Sequence, residues 1–128
     1  MSHFSNIKTQ IRNLPALKAA LSDLKADWKE GPRPVRGYRG QTRTAEVVIE
    51  QSNNYDIGFS WNGTEYELVA DLQYWQQPLS VEGFLSRVTQ RYAYHTVINE
   101  TTQQGFQVAE QRTNEDGSLH LVVQRWSA

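Results

Sequence analysis

His95 directly follows Tyr94 and lies three residues after Tyr92, in a stretch with helical spacing. A half-buried imidazole among phenols can titrate near neutral pH, bind a ligand or act as a base. The competing reading is a core-edge histidine hydrogen-bonded to a backbone carbonyl or a tyrosine hydroxyl. His3 and His120 fall on expected strands, and no His-x-x-x-His pair exists. Nothing local gathers the three or four ligands a zinc site needs, so no metal is expected. A second group is basic. Arg33, Arg36, Arg39 and Arg43 recur every three or four residues, with Tyr38 among them and Gly37 and Gly40 allowing close backbone approach. Guanidinium forks match phosphates and carboxylates. Residues 33–43 are therefore a candidate anion, nucleotide or RNA site, centred on Arg36, Arg39, Arg43 and Tyr38. Neither a Walker-type loop nor Gly-x-Gly-x-x-Gly stands there. The alternative is a solvated loop whose arginines balance Glu46, Glu50, Glu65 and Glu67.

Two further groups point to binding rather than chemistry. Tyr74-Trp75-Gln-Gln-Pro78 places large rings among polar residues. Those rings either fold back on the core or anchor a partner, as Trp and Tyr do at interface hot spots. Ala93, Tyr94 and Val97 lie on the side of their helix opposite His95, where charge would be expected. A helix that is apolar on two sides is buried on both or meets another chain. The interaction candidates are accordingly Tyr74, Trp75, Tyr94 and Val97. No catalytic set stands out. There is no Gly-x-Ser-x-Gly elbow, and the carboxylates on or beside strands read as solvent face.

The elements that must position these residues follow from periodicity. Ser5, Ile7, Thr9 and Ile11 alternate as a strand. Asn13 is suited to cap a helix with Pro15 in its first turn, and Leu14, Leu17, Leu21 and Leu24 form its apolar stripe. That helix is over by Asp27. Residues 31–43, rich in Gly and Pro, read as a loop with a short extended piece near Val35. Ala45, Val47 and Ile49 share a strand face opposite Glu46 and Glu50. Asn62-Gly63 predicts a two-residue type I′ turn, which sets Trp61 opposite Thr64, Phe59 opposite Tyr66, Ile57 opposite Leu68 and Tyr55 opposite Ala70. Ser80 is the expected cap of a helix over 81–103, with Val81, Phe84, Leu85, Val88, Tyr92 and His95 on one arc and Gly105 as the stop. Strands over 106–112 and 119–126 close the chain around Asn114-Glu-Asp-Gly117, their register open. The order β-α-β-β-β-α-β-β predicts an α+β two-layer sandwich: a mainly antiparallel sheet with two helices packed on one face.

At 128 residues, the chain reads as a single domain, 1–128, able to bury its own core. Hydrophobic content of 38% with 11% aromatic exceeds that of a disordered chain. A net charge of −1 lacks the excess of a dedicated nucleic-acid binder while leaving room for a local basic patch. With no cysteine, disulfides, thiolate metal sites and cysteine nucleophiles are excluded. No apolar run approaches the ~20 residues of a membrane helix, so no membrane insertion is expected. The opening residues lack a signal peptide or an Arg- and Ser-rich transit peptide. The expectation is a soluble protein made where it works.

Five stretches together resemble one family: Met1-Ser-His-Phe-Ser-Asn-Ile-Lys-Thr; Val35-Arg-Gly-Tyr-Arg-Gly-Gln; Tyr55-Asp-Ile-Gly-Phe through Leu68-Val-Ala-Asp-Leu-Gln-Tyr-Trp; Val88-Thr-Gln-Arg-Tyr-Ala-Tyr-His95; and the ending Val123-Gln-Arg-Trp. Across nearly its whole length the chain is similar to the hypothetical chloroplast reading frame thirty-five family of cyanobacteria and algal plastids. That family has no assigned function, so the resemblance implies no site residues. It implies a photosynthetic host and a place in cyanobacterial cytoplasm or plastid stroma.

The leading reading is a non-catalytic accessory domain that binds another protein, without a cofactor, with self-association as a further option. The alternative is anion or nucleic-acid binding through loop 33–43. A third is a small enzyme using His95 with a tyrosine.

Overall fold

A computed structural model of the chain describes residues 3–115 and 117–125. Met1 and Ser2 of the opening stretch, Asp116 of the last turn and Trp126 of the ending lie outside the described residues.

The first strand, β1 (Ser5–Ile11), leads directly into α1 (Leu14–Asp23). Asn13 caps this helix as its side-chain oxygen accepts from the Ala16 N–H at 2.9 Å, with Pro15 in the first turn. Then follow β2 (Trp28–Arg36), β3 (Thr42–Ile49), β4 (Ile57–Trp61) and β5 (Tyr66–Ala70). Ser80 caps α2 (Val81–Gln103) by accepting from the Gly83 N–H at 3.0 Å, and Gly105, at φ +84°, follows its end. The last pair is β6 (Phe106–Thr113) and β7 (Leu119–Arg125).

Five strands form one antiparallel sheet in the order β1-β5-β4-β3-β2, and β6 and β7 form a separate two-stranded sheet packed against α2. The α+β class holds, with both helices on one face. Leu17, Ala20 and Leu21 of α1 and Phe84 and Val88 of α2 share one buried cluster with Val47, Ile49, Ile57, Phe59, Leu68 and Ala70 of the sheet. On the opposite face lies a small second cluster of Val35, Ala45 and Val48, with Phe4 against it.

Three expectations are corrected. Residues 31–36 are not loop. They belong to β2, a nine-residue strand whose pairing with β3 slips between Glu30 and Arg33. Pro32 and Pro34 are tolerated because β2 is an edge strand with one unpaired side. Ala45 does not share a face with Val47 and Ile49. It packs with Val35 and Val48 over Gly58, because the register slip breaks the alternation. Finally, the β4–β5 hairpin pairs Trp61 with Tyr66, Phe59 with Leu68 and Ile57 with Ala70. The loop is four residues rather than two, because the Asn62 side chain accepts from the Thr64 and Glu65 N–H groups at 2.9 and 2.8 Å. A slip of two keeps each side chain on its expected face. Tyr55, released from pairing with Ala70, stacks on Tyr74 with centroids 3.9 Å apart.

Candidate functional site

Helix α2 has two working sides. On one, Tyr92 reaches the β1–α1 junction, and its hydroxyl accepts from the Arg12 and Asn13 N–H groups, both at 3.1 Å. One turn on, Asp23 at the end of α1 receives Arg91 Nε at 2.8 Å and lies 2.6 Å from His95 Nε2. Partial burial works to raise the Asp23 carboxyl. The hydrogen bonds and charges of Arg91 and His95 outweigh it and hold the group below its ordinary range. Arg91 also lies over the Tyr94 ring, 4.2 Å from its centroid. His95 is therefore part of an interhelical bridge. Tyr92 gives its oxygen to backbone donors, and Tyr94 meets His95 by ring edge at 5.1 Å between centroids.

The other side of α2 is open. Leu85, Ala93, Tyr94 and Val97 line a hollow of about 850 Å³, with Lys8 of β1 and Leu121 of β7 on its flanks. A smaller hollow of about 320 Å³ shares Thr9, Ala93 and Val97 with it and extends the groove toward Ile11. Strand β1 is the sheet edge beside this groove. Gln90 of α2 donates to the Gly117 carbonyl and ties the last hairpin to the helix.

Tyr74 and Trp75 line neither hollow. Trp75 is half-buried on the core, its ring 5.4 Å from Phe84 and its Nε1–H donating to the Leu79 carbonyl at 2.8 Å. The connector is held by buried Gln51, which donates to the Tyr74 carbonyl at 3.2 Å and accepts from the Gln76 N–H at 2.9 Å. Partial burial, with Tyr74, Asp71 and Tyr38 nearby, raises the Tyr55 phenol.

The arginines of 33–43 separate into two kinds. Arg36 is spent inside the fold. Its Nε and Nη2 make a fork to Asp56 at 2.8 and 2.9 Å, Nη1 reaches Asn54 at 3.0 Å and Glu50 lies 3.8 Å away. The Asp56 hydrogen bond, with that charge and Glu50's, raises the guanidinium further despite partial burial. Arg39 lies over Tyr38 and Arg43 over Phe4, at 5.3 and 5.5 Å from the ring centroids. Among the described residues neither of these, nor Arg33, reaches a carboxylate. Of the four glutamates expected to balance the loop, only Glu50 meets an arginine. Glu46, Glu65 and Glu67 accept from the Trp61 N–H, the Gln10 N–H and the Asn6 amide.

Sequence reasoning missed Asp23, Gln51 and Asp56. Each acts on a partner distant in sequence, so no spacing could announce it. Among the described residues, no group of three His, Asp or Glu side chains is placed to hold a metal ion, and no helix is long and apolar enough to cross a membrane.

Comparison with known proteins adds a second line. Residues 20–122 match the model of a family described as a protein of unknown function (DUF1257). The chain is 51% identical over 126 residues to an uncharacterized protein ycf35 of Guillardia theta, covering 98% of each. It is 47% identical over 126 residues to that of Cyanophora paradoxa, again 98% of each, and 44% identical over 127 residues to that of Pyropia yezoensis, 99% of each. These relatives are encoded in algal plastid genomes. No solved structure matches.

Proposed function

The chain belongs to the DUF1257 family of unknown function, with the ycf35 proteins of algal plastids, and from that premise we propose that it is a non-catalytic module that binds another protein along α2. The resemblance read from the five sequence stretches therefore holds. One observation carries the proposal. The fold covers one side of α2 and leaves Leu85, Ala93, Tyr94 and Val97 facing a hollow of about 850 Å³. An open apolar groove of this size is the feature a binding partner would fill. From Glu82 to Val97 the helix wall runs roughly 22 Å at ~1.5 Å per residue, the length of about seven extended residues. Beside it lies the unpaired edge of β1, so an extended apolar segment of a partner protein is the occupant we favour. The plastid genomes of the relatives support a place in plastid stroma or cyanobacterial cytoplasm.

The test is affinity capture of the tagged protein from a photosynthetic host at low and high salt. Wild type is expected to retain one stoichiometric protein at high salt. Val97→Asp with Tyr94→Ala should lose it while circular dichroism shows that the chain is still folded. If the double variant keeps that partner, the groove is not the binding face. If only further copies of the chain are retained, the occupant is a second copy.

A further inference from the structure

We propose a second site, independent of the groove: a basic track along the β2–β3 end of the sheet that binds single-stranded RNA through its phosphates. In the β2–β3 ladder Arg33 stands opposite Ala45 and Arg43 opposite Val35. Val35 and Ala45 belong to the cluster on the helix-free face, so Arg33 and Arg43 share that face as diagonal neighbours, roughly 7–8 Å apart at the backbone. Arg39 lies in the turn of the same hairpin, where it and Gly40 both take positive φ, +54° and +76°. All three arginines are exposed. None meets a carboxylate among the described residues, although the chain as a whole carries net charge −1. Local charge is left unneutralised at one end while Arg36, between them in sequence, is fully answered by Asp56, Asn54 and Glu50.

Charge complementarity names the partner's sign, and the rings narrow its class. Arg39 and Arg43 lie over Tyr38 and Phe4, 5.3 and 5.5 Å from the ring centroids, and their exposed forks are left for bidentate oxygens. Gly37 makes this possible, since a Cβ there would stand 2.4 Å from the Phe4 ring. Bases stack on guanidinium planes and on aromatic faces, so a polynucleotide uses both halves of the arrangement, where an acidic peptide uses only the charge. RNA is the polymer whose bases are commonly presented unpaired.

The experiment is fluorescence anisotropy of a labelled unstructured RNA 12-mer with the full-length protein across 50–200 mM salt. Three phosphate contacts predict a log–log slope near −2, hence roughly 20-fold weaker binding over that range. The triple variant Arg33→Ala, Arg39→Ala, Arg43→Ala should lose the binding at unchanged Tm, while Arg87→Ala on α2 should keep it. Absence of RNA binding at 50 mM salt overturns the proposal. So does binding that survives the triple variant, or tighter binding of polyglutamate.

Discussion

Asp23 takes donors from two residues of α2, and that geometry sets an acid dependence. Its folded-state carboxyl lies below its unfolded value, so its stabilising contribution is complete above the ordinary aspartate range, near about 4. It is lost as the pH falls through the lowered folded value. Asp23→Asn should cost stability at neutral pH and flatten the pH dependence of urea denaturation below pH ~4. An unchanged profile would mean that the bridge contributes nothing. Tyr92 makes a simpler case. Tyr92→Phe removes the acceptor of two backbone donors that water can partly replace, for an expected loss of about 1 kcal/mol in the same assay. The helical arc already placed Tyr92 and His95 toward the fold. Their partners were not legible, because Arg12 and Asp23 lie 80 and 72 residues away from them and no local pattern spans such a gap.

Single elements were legible where the deciding contacts are local. Both helix caps, Asn13 and Ser80, were readable because the capping oxygen and the N–H that donates to it lie three residues apart. The β4–β5 register was not. Asn62-Gly63 favours a two-residue turn by its backbone preference, and the Asn62 side chain wins by closing a longer loop. Strand β2 was hidden by its own composition, since Gly and Pro read as loop unless the strand is known to lie at an edge. The packing of β2 and β3 over β4 also makes a sharp prediction. A Cβ at Gly58 would lie 2.4 Å from Val35 Cγ2 and 2.9 Å from the Ala45 Cβ. Gly58→Ala should therefore cost about 1–3 kcal/mol, and Val35→Ala in the same chain should return part of the loss. Additive losses in that double-mutant cycle would contradict the contact.

For the molecule as a whole, both helices and four strands meet in one cluster around fully buried Phe59. Phe59→Ala should cost about 3–5 kcal/mol, a large share of the roughly 5–15 kcal/mol typical of a domain. In wild type, helix circular dichroism and tryptophan fluorescence should report the same denaturation midpoint, as one cooperative domain requires. Separate midpoints would divide the chain. The α+β class was legible from periodicity alone, whereas the strand order was not, because it depends on β1 crossing to pair with β5. That crossing has a cost in time. Ser5 pairs with Ala70, so β1 is synthesised first yet has no ladder to join until some 65 further residues exist. At ~5–20 residues per second, the ribosome takes roughly 3–13 s to make them. For those seconds Ile7 and Ile11 belong to a nascent chain whose ladder partners, Leu68 and Tyr66, are not yet made.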